Sequence, residues 1–130
     1  MELVFPHLHH KVSHFSLGFA LSSVLFDILS IFAPKFERTS DIMIVLATLS
    51  LFLSFITGVE ISEGVVVRRT LLEYHETSGF LMLSVFSIAL ALRFSMRTRS
   101  LSKLLVIFSL PLIIFVDISG VVLSHLGKNN

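Results

Sequence analysis

Six histidines stand in this 130-residue chain: His7, His9, His10, His14, His75 and His125. Imidazole carries protons near neutral pH and ligates metals more often than any other side chain, so their spacing is the first clue to chemistry. Two of them open the same phrase. "HFSLGFALSSV" starts at His14 and "HETSGFLMLSV" starts at His75, with five of eleven positions identical. Each contains His-x-x-x-Gly, through Gly18 and Gly79, and that spacing puts both residues on one helix face. A second pair follows: "ITGVEIS" from Ile56 and "ISGVVLS" from Ile118 share four of seven positions, Gly58 and Gly120 among them. The chain reads as two copies of one unit, approximately 14–62 and 75–124.

What must position these residues is set by composition. Hydrophobic residues make up 54% and charged residues 15%, the mean hydropathy is +0.90, and a single small domain cannot enclose that much apolar surface in water. Lipid is the solvent. Four apolar runs, approximately 14–33, 42–60, 76–94 and 104–126, approach the roughly 20 helical residues that a bilayer core requires. Pro6 suits a first helical turn, and Pro111 removes a backbone donor inside the fourth run and is expected to bend it. Short connections make neighbouring runs antiparallel. The expected fold is all-α and integral to the membrane: an up-down four-helix transmembrane bundle in a single domain, built from two parallel-repeat helical hairpins.

Orientation follows from the bias of Lys and Arg towards the cytoplasm. The loops after spans one and three hold Lys35, Arg38, Arg93, Arg97, Arg99 and Lys103; the opposite side holds Lys11, Arg68, Arg69 and Lys128. Both termini are therefore expected outside the cytoplasm, and all six histidines fall on that outer side. Duplicated hairpins put spans one and three on diagonal corners, roughly 11–14 Å apart for axes spaced 8–10 Å. Two imidazoles can sandwich one iron across about 12 Å. That is the ligation of haem b, with His14 and His75 as axial ligands. Gly18, Gly79, Gly58 and Gly120 would make room for a flat macrocycle.

Other polar residues fit around that reading. Arg68 and Arg69, with Lys11, suit haem propionates. His125 is an alternative ligand or a quinone contact. His7, His10 and His14 share a helical face and form a candidate second metal site. Asp117 lies roughly 13 Å below the outer end of its helix at 1.5 Å per residue; it reads as a proton or quinone contact, or as a protonated carboxyl bonded to Ser or backbone. Asp27 sits nearer the cytoplasmic end, within reach of Lys35 or Arg38. A competing picture gathers His14, His75, His125 and Glu63 around a Zn, Cu or Fe ion with no porphyrin.

The absences narrow the field. No cysteine is present, which removes disulfides, thiolate catalysis and covalent haem attachment. A net charge of +1 without a basic stripe speaks against nucleic acid. No phosphate-cradling glycine motif or nucleophile elbow occurs.

"HHKVSHFSLG", "FITGVEIS", "EYHETSG" and "DISGVVLSHLG" resemble the landmarks of a family of small four-span prokaryotic membrane proteins catalogued as a domain of unknown function. Its pattern runs His-Pro-x-x-x-His-Phe-Pro-Ile, Thr-Gly, a lone His, a glycine pair and His-Gly. His9, His14, Phe15 and Gly18 fit the first landmark; Gly58, His75, Gly120, His125 and Gly127 fit the others. His10 and Ser16 stand where the family has proline, and one glycine near 120 replaces two. The layout is similar to that of two-haem cytochromes b. The resemblance implies a prokaryotic cytoplasmic-membrane protein. The expected function is b-type, bis-histidine electron transfer in the respiratory chain, alone or as a subunit, with a quinone and a periplasmic electron carrier as partners. The alternative is a non-redox structural or accessory subunit of a larger respiratory complex, or a homodimer, whose histidines bind a metal ion or nothing. An electron-transfer subunit is expected rather than a stand-alone enzyme, so no catalytic residue is named.

Overall fold

A computed structural model of the chain describes residues 4–62 and 69–128. Every element in them is helical: α1 (Val4–Phe32), a short 3-10 turn (Pro34–Phe36), α2 (Glu37–Ser62), α3 (Arg69–Arg93), α4 (Arg99–Phe108) and α5 (Leu110–Lys128). Pro6 lies within the first turn of α1, where a missing N–H costs nothing. At the other end Pro34 stops the helix. Ala33 is extended, with φ −141° and ψ 105°, because a residue preceding proline is driven from the helical region. The fourth span is divided between α4 and α5 at Ser109. Pro111 offers no N–H to the carbonyl four residues back, and the Ser109 amide is shared between the carbonyls of Leu105 and Val106 at 3.1 and 3.2 Å.

Four segments are long and apolar enough to cross a membrane: Leu8–Phe32, Pro34–Gly58, Thr70–Arg93 and Arg99–Leu126. Three of the four bury only 22% of their most apolar window, so most of their surface faces outward, as a bundle in lipid requires. α1 packs on α2, α2 on α3, α3 on α4 and α5, and those two close back on α1. α1 and α3 therefore occupy diagonal corners. The interior is narrow and built from small residues, Ala20, Ser23, Ala47 and Ala89, with Met82, Phe86, Ile44 and Ile113 filling the wider levels. Small side chains let helix axes approach where no hydrophobic force distinguishes protein from lipid.

Burial recurs along the chain. On the even helices the buried pairs are Ser40 and Ser102, Ile44 and Val106, Ala47 and Ser109, Leu51 and Ile113, each 62 apart, the spacing expected from "ITGVEIS" and "ISGVVLS". On the odd helices they are Ser16 and Met82, Ala20 and Phe86, Ser23 and Ala89, Asp27 and Arg93. These are 66 apart, not the 61 that joins His14 to His75. Five residues is about 1.4 turns, a rotation of roughly 140°, so the two registers assign different faces inward.

Candidate functional site

At the end of the bundle where α1 begins, α3 brings in His75 and α1 brings in His9. The two stand 66 apart in the repeating register, one on each diagonal helix. Each ring leans on the helix that follows its own. His9 Nδ1 is 2.9 Å from Thr57 Oγ1, and His75 Nδ1 is 2.7 Å from Ser119 Oγ. The Thr57 hydroxyl hydrogen is committed to the carbonyls of Leu53 and Ser54, both at 3.0 Å. That of Ser119 goes to Val116 O at 3.1 Å. With those hydrogens on the carbonyls, both hydroxyl oxygens are free to accept from an Nδ1–H, which is the tautomer taken here for both histidines. Nε2 keeps its lone pair. At His9 that lone pair faces the Ser13 hydroxyl at a long 3.3 Å, and Ser13 is tied to Ser54 Oγ at 2.9 Å.

The glycines explain how the rings fit. A Cβ on Gly58 would stand 3.0 Å from His9 Cε1, and one on Gly120 would stand 3.2 Å from His75 Cε1. The room that these glycines were expected to leave for a macrocycle is filled by imidazole. A Cβ at Gly18 or Gly79 would meet nothing within 4 Å, so no close approach depends on either. One further group is incomplete. Among the described residues, the buried Oε1 of Glu76, adjacent to His75, has no hydrogen-bond partner. A buried carboxyl oxygen without a donor is costly.

His14 is elsewhere. It is exposed on α1, with its Nε2 3.1 Å from that of His10, and it borders a groove between α1 and α5 together with Gly18 and Asp117. His9 and His75 each lean on a hydroxyl of the helix that follows, and His14 has no such hydroxyl partner among the described residues. His125 is exposed near the end of α5. Among the described residues no three His, Asp or Glu side chains are placed to hold a metal ion, so His14, His75 and His125 are not gathered together. Lys11 is exposed on α1. Arg68 and Glu63 lie outside the described residues, as do the side chains of His7 and Arg69.

The opposite end holds a cluster that the sequence did not announce. Arg93, expected in a loop, is buried, and it meets Asp27 through Nη1–Oδ1 at 2.9 Å and Nη2–Oδ2 at 2.8 Å. Its Nη1 also donates to Ser40 at 2.7 Å and its Nε to Ser102 at 2.9 Å. Ser40 bonds to Asp27. Asp27 thus takes Arg93 as its partner, not Lys35 or Arg38. Around them Arg99 contacts Glu37 and Asp41, each at 2.7 Å, and Lys103 reaches Glu37. Three cations and three carboxylates cancel. The signal was present: Asp27 and Arg93 are opposite charges at equal depth on the two diagonal helices, and buried charges in membranes pair.

A family model described as Predicted membrane protein (DUF2231) matches residues 6–126. No curated protein and no solved structure matches the chain.

Proposed function

We propose, taking as premise that this chain belongs to the DUF2231 family of membrane proteins, that it carries electrons through a b-type haem held between His9 and His75. The observation that carries the reading is the matched pair of imidazoles. One comes from each diagonal helix, each has its Nδ1 within hydrogen-bond distance of a helix hydroxyl, and each would give Nε2 to a metal, His9 by releasing its long contact with Ser13. Ligating histidines characteristically give their other N–H to such a partner, which fixes ring and tautomer. Two ligands suit a porphyrin, which brings four nitrogens of its own, whereas a zinc or copper ion wants three or four from the protein.

An iron porphyrin bound there supplies one-electron redox chemistry. The chain's own tasks are mechanical and electrostatic. Thr57 and Ser119 hold the rings, Gly58 and Gly120 seat them, and the Glu76 carboxylate offsets positive charge beside His75. Lys11 is available to a propionate at the rim.

The test is a reduced-minus-oxidised visible spectrum of protein purified in detergent after expression with haem supplied. Soret and α bands are expected in the wild type and in His14→Ala, and their loss in His9→Ala and His75→Ala. A wild type without bands removes the haem, leaving a non-redox membrane subunit. Bands unchanged in His9→Ala remove the ligand assignment.

A further inference from the structure

The repeating register makes one comparison possible inside the molecule. Where α2 meets α3, the seam at mid-height is closed by Phe55 against Phe80, ring centroids 5.8 Å apart. The corresponding seam joins α1 to α5. The residue 66 before Phe80 is His14, and the residue 62 after Phe55 is Asp117. One half of the bundle thus closes its seam with two aromatic rings. The other half puts an imidazole and a carboxyl at the same two places, and there the seam stands open as a groove of about 280 Å³.

His14 and Asp117 do not satisfy one another. No hydrogen bond or ion pair joins them; His14 Nε2 is bonded to His10 instead. The His75–Ser119 and His9–Thr57 bonds fix a common level on the four helices. Asp117 lies two residues inward of that level and His14 five, so the pair is staggered by roughly 4–5 Å along the axis. Leu17, Leu21 and Ile114 continue the groove, and Leu21 and Ile114 are 47% and 48% exposed on the outer surface. The opening faces hydrocarbon, so an occupant must enter from lipid. A volume just below the usual range for small-molecule pockets admits a ring-sized head rather than a whole lipid. Charge of either sign is costly at this depth, which favours a neutral head. What remains is a neutral, lipid-soluble ring with oxygen at both ends.

We propose that this groove binds the head of a membrane quinone or hydroquinone, with His14 and Asp117 as its two hydrogen-bond partners and its tail along Leu17 and Leu21. The proposal concerns binding alone. It goes beyond the electron-transfer reading and does not require iron at His9 and His75.

The test uses full-length protein in phosphatidylcholine nanodiscs, measuring saturable partition of a decyl-tailed benzoquinone against empty discs. The decisive variant copies the molecule's other half: His14→Phe with Asp117→Phe. At least tenfold weaker binding is expected, while Phe55→Leu, on the other seam, binds as wild type. Decanol, which has the tail without the ring, is expected not to compete. Binding of the double variant within twofold of wild type overturns the proposal. So does the lack of a saturable excess over empty discs, or equal displacement by decanol, which would make the groove a cleft for tails. If the double variant does not yield monodisperse helical protein, Asp117→Asn replaces it, with the same tenfold expectation and the same twofold limit. The haem spectrum is read separately, so either reading can fail without the other.

Discussion

Replacing Asp27 by Leu should be the most damaging single change at the charged end. The side chains of Asp27 and Arg93 are 0% and 3% exposed. Of the four short hydrogen bonds made by Arg93, two go to Asp27, at 2.9 and 2.8 Å. Guanidinium cannot shed its proton. With Asp27 gone it keeps Ser40 and Ser102 and can turn towards Asp41, already 3.5 Å away. Removing one partner of a buried pair costs about 3–5 kcal/mol, and these remaining contacts argue for the lower end, about 3 kcal/mol. Arg93→Met should cost less, about 1–3 kcal/mol, because the carboxyl left behind can take up a proton and still bond Ser40. The double variant Asp27→Leu, Arg93→Met leaves no stranded charge and should return to within about 1 kcal/mol of wild type. The assay is reversible unfolding in mixed micelles followed by far-ultraviolet circular dichroism, closed as a double-mutant cycle. A double variant as unstable as Asp27→Leu alone would refute the reasoning. So would two single variants each costing under about 0.5 kcal/mol.

Three further outcomes are expected. Gly58→Ala and Gly120→Ala each push a Cβ to within 3.0–3.2 Å of an imidazole and should reduce haem occupancy or shift the α band. Gly18→Ala and Gly79→Ala, with open space around them, should leave the spectrum as in wild type. Thr57→Val and Ser119→Ala remove the acceptors of the two Nδ1–H groups and should weaken haem retention by about 10–100-fold in a transfer assay to apomyoglobin. Lys103→Ala breaks a contact whose Glu37 partner is 35% exposed; its loss should cost no more than about 1 kcal/mol in the same unfolding assay, well short of Asp27→Leu.

The four spans were readable because hydropathy over 20 residues is a strong signal, and the even helices were readable to the residue: Gly58 and Gly120 occupy equivalent seats. On the odd helices the letters and the buried face give different registers. Matching letters joined His14 to His75, whereas what recurs in space is the buried face, and a five-residue slip turns a helix by roughly 140°. The alternation of Ser16, Ala20, Ser23 and Asp27 against Met82, Phe86, Ala89 and Arg93 conserves depth and facing but no identity, so letter comparison cannot detect it. The hydroxyls holding His9 and His75 were hidden for another reason: Thr57 and Ser119 lie inside the duplicated phrases, where they look like conservative filler. Arg93 was counted among the loop charges because it is the last residue of α3, and a charge at the end of an apolar run reads as flanking it.

The charged end also bears on how the chain assembles. Asp27 rests on Ser40, from its own hairpin, and Arg93 rests on Ser102, from its own. Each hairpin therefore enters the membrane with one charge and one hydroxyl to shelter it, and only the meeting of the hairpins cancels the charges. The first hairpin is complete before Arg93 has been synthesised and must wait with its carboxyl unpaired. Opposite charge then works as an address, favouring docking of unlike halves over pairing of like ones, where two carboxylates or two guanidiniums would share the interior. Opposite signs at this one position are enough to make the two hairpins need each other.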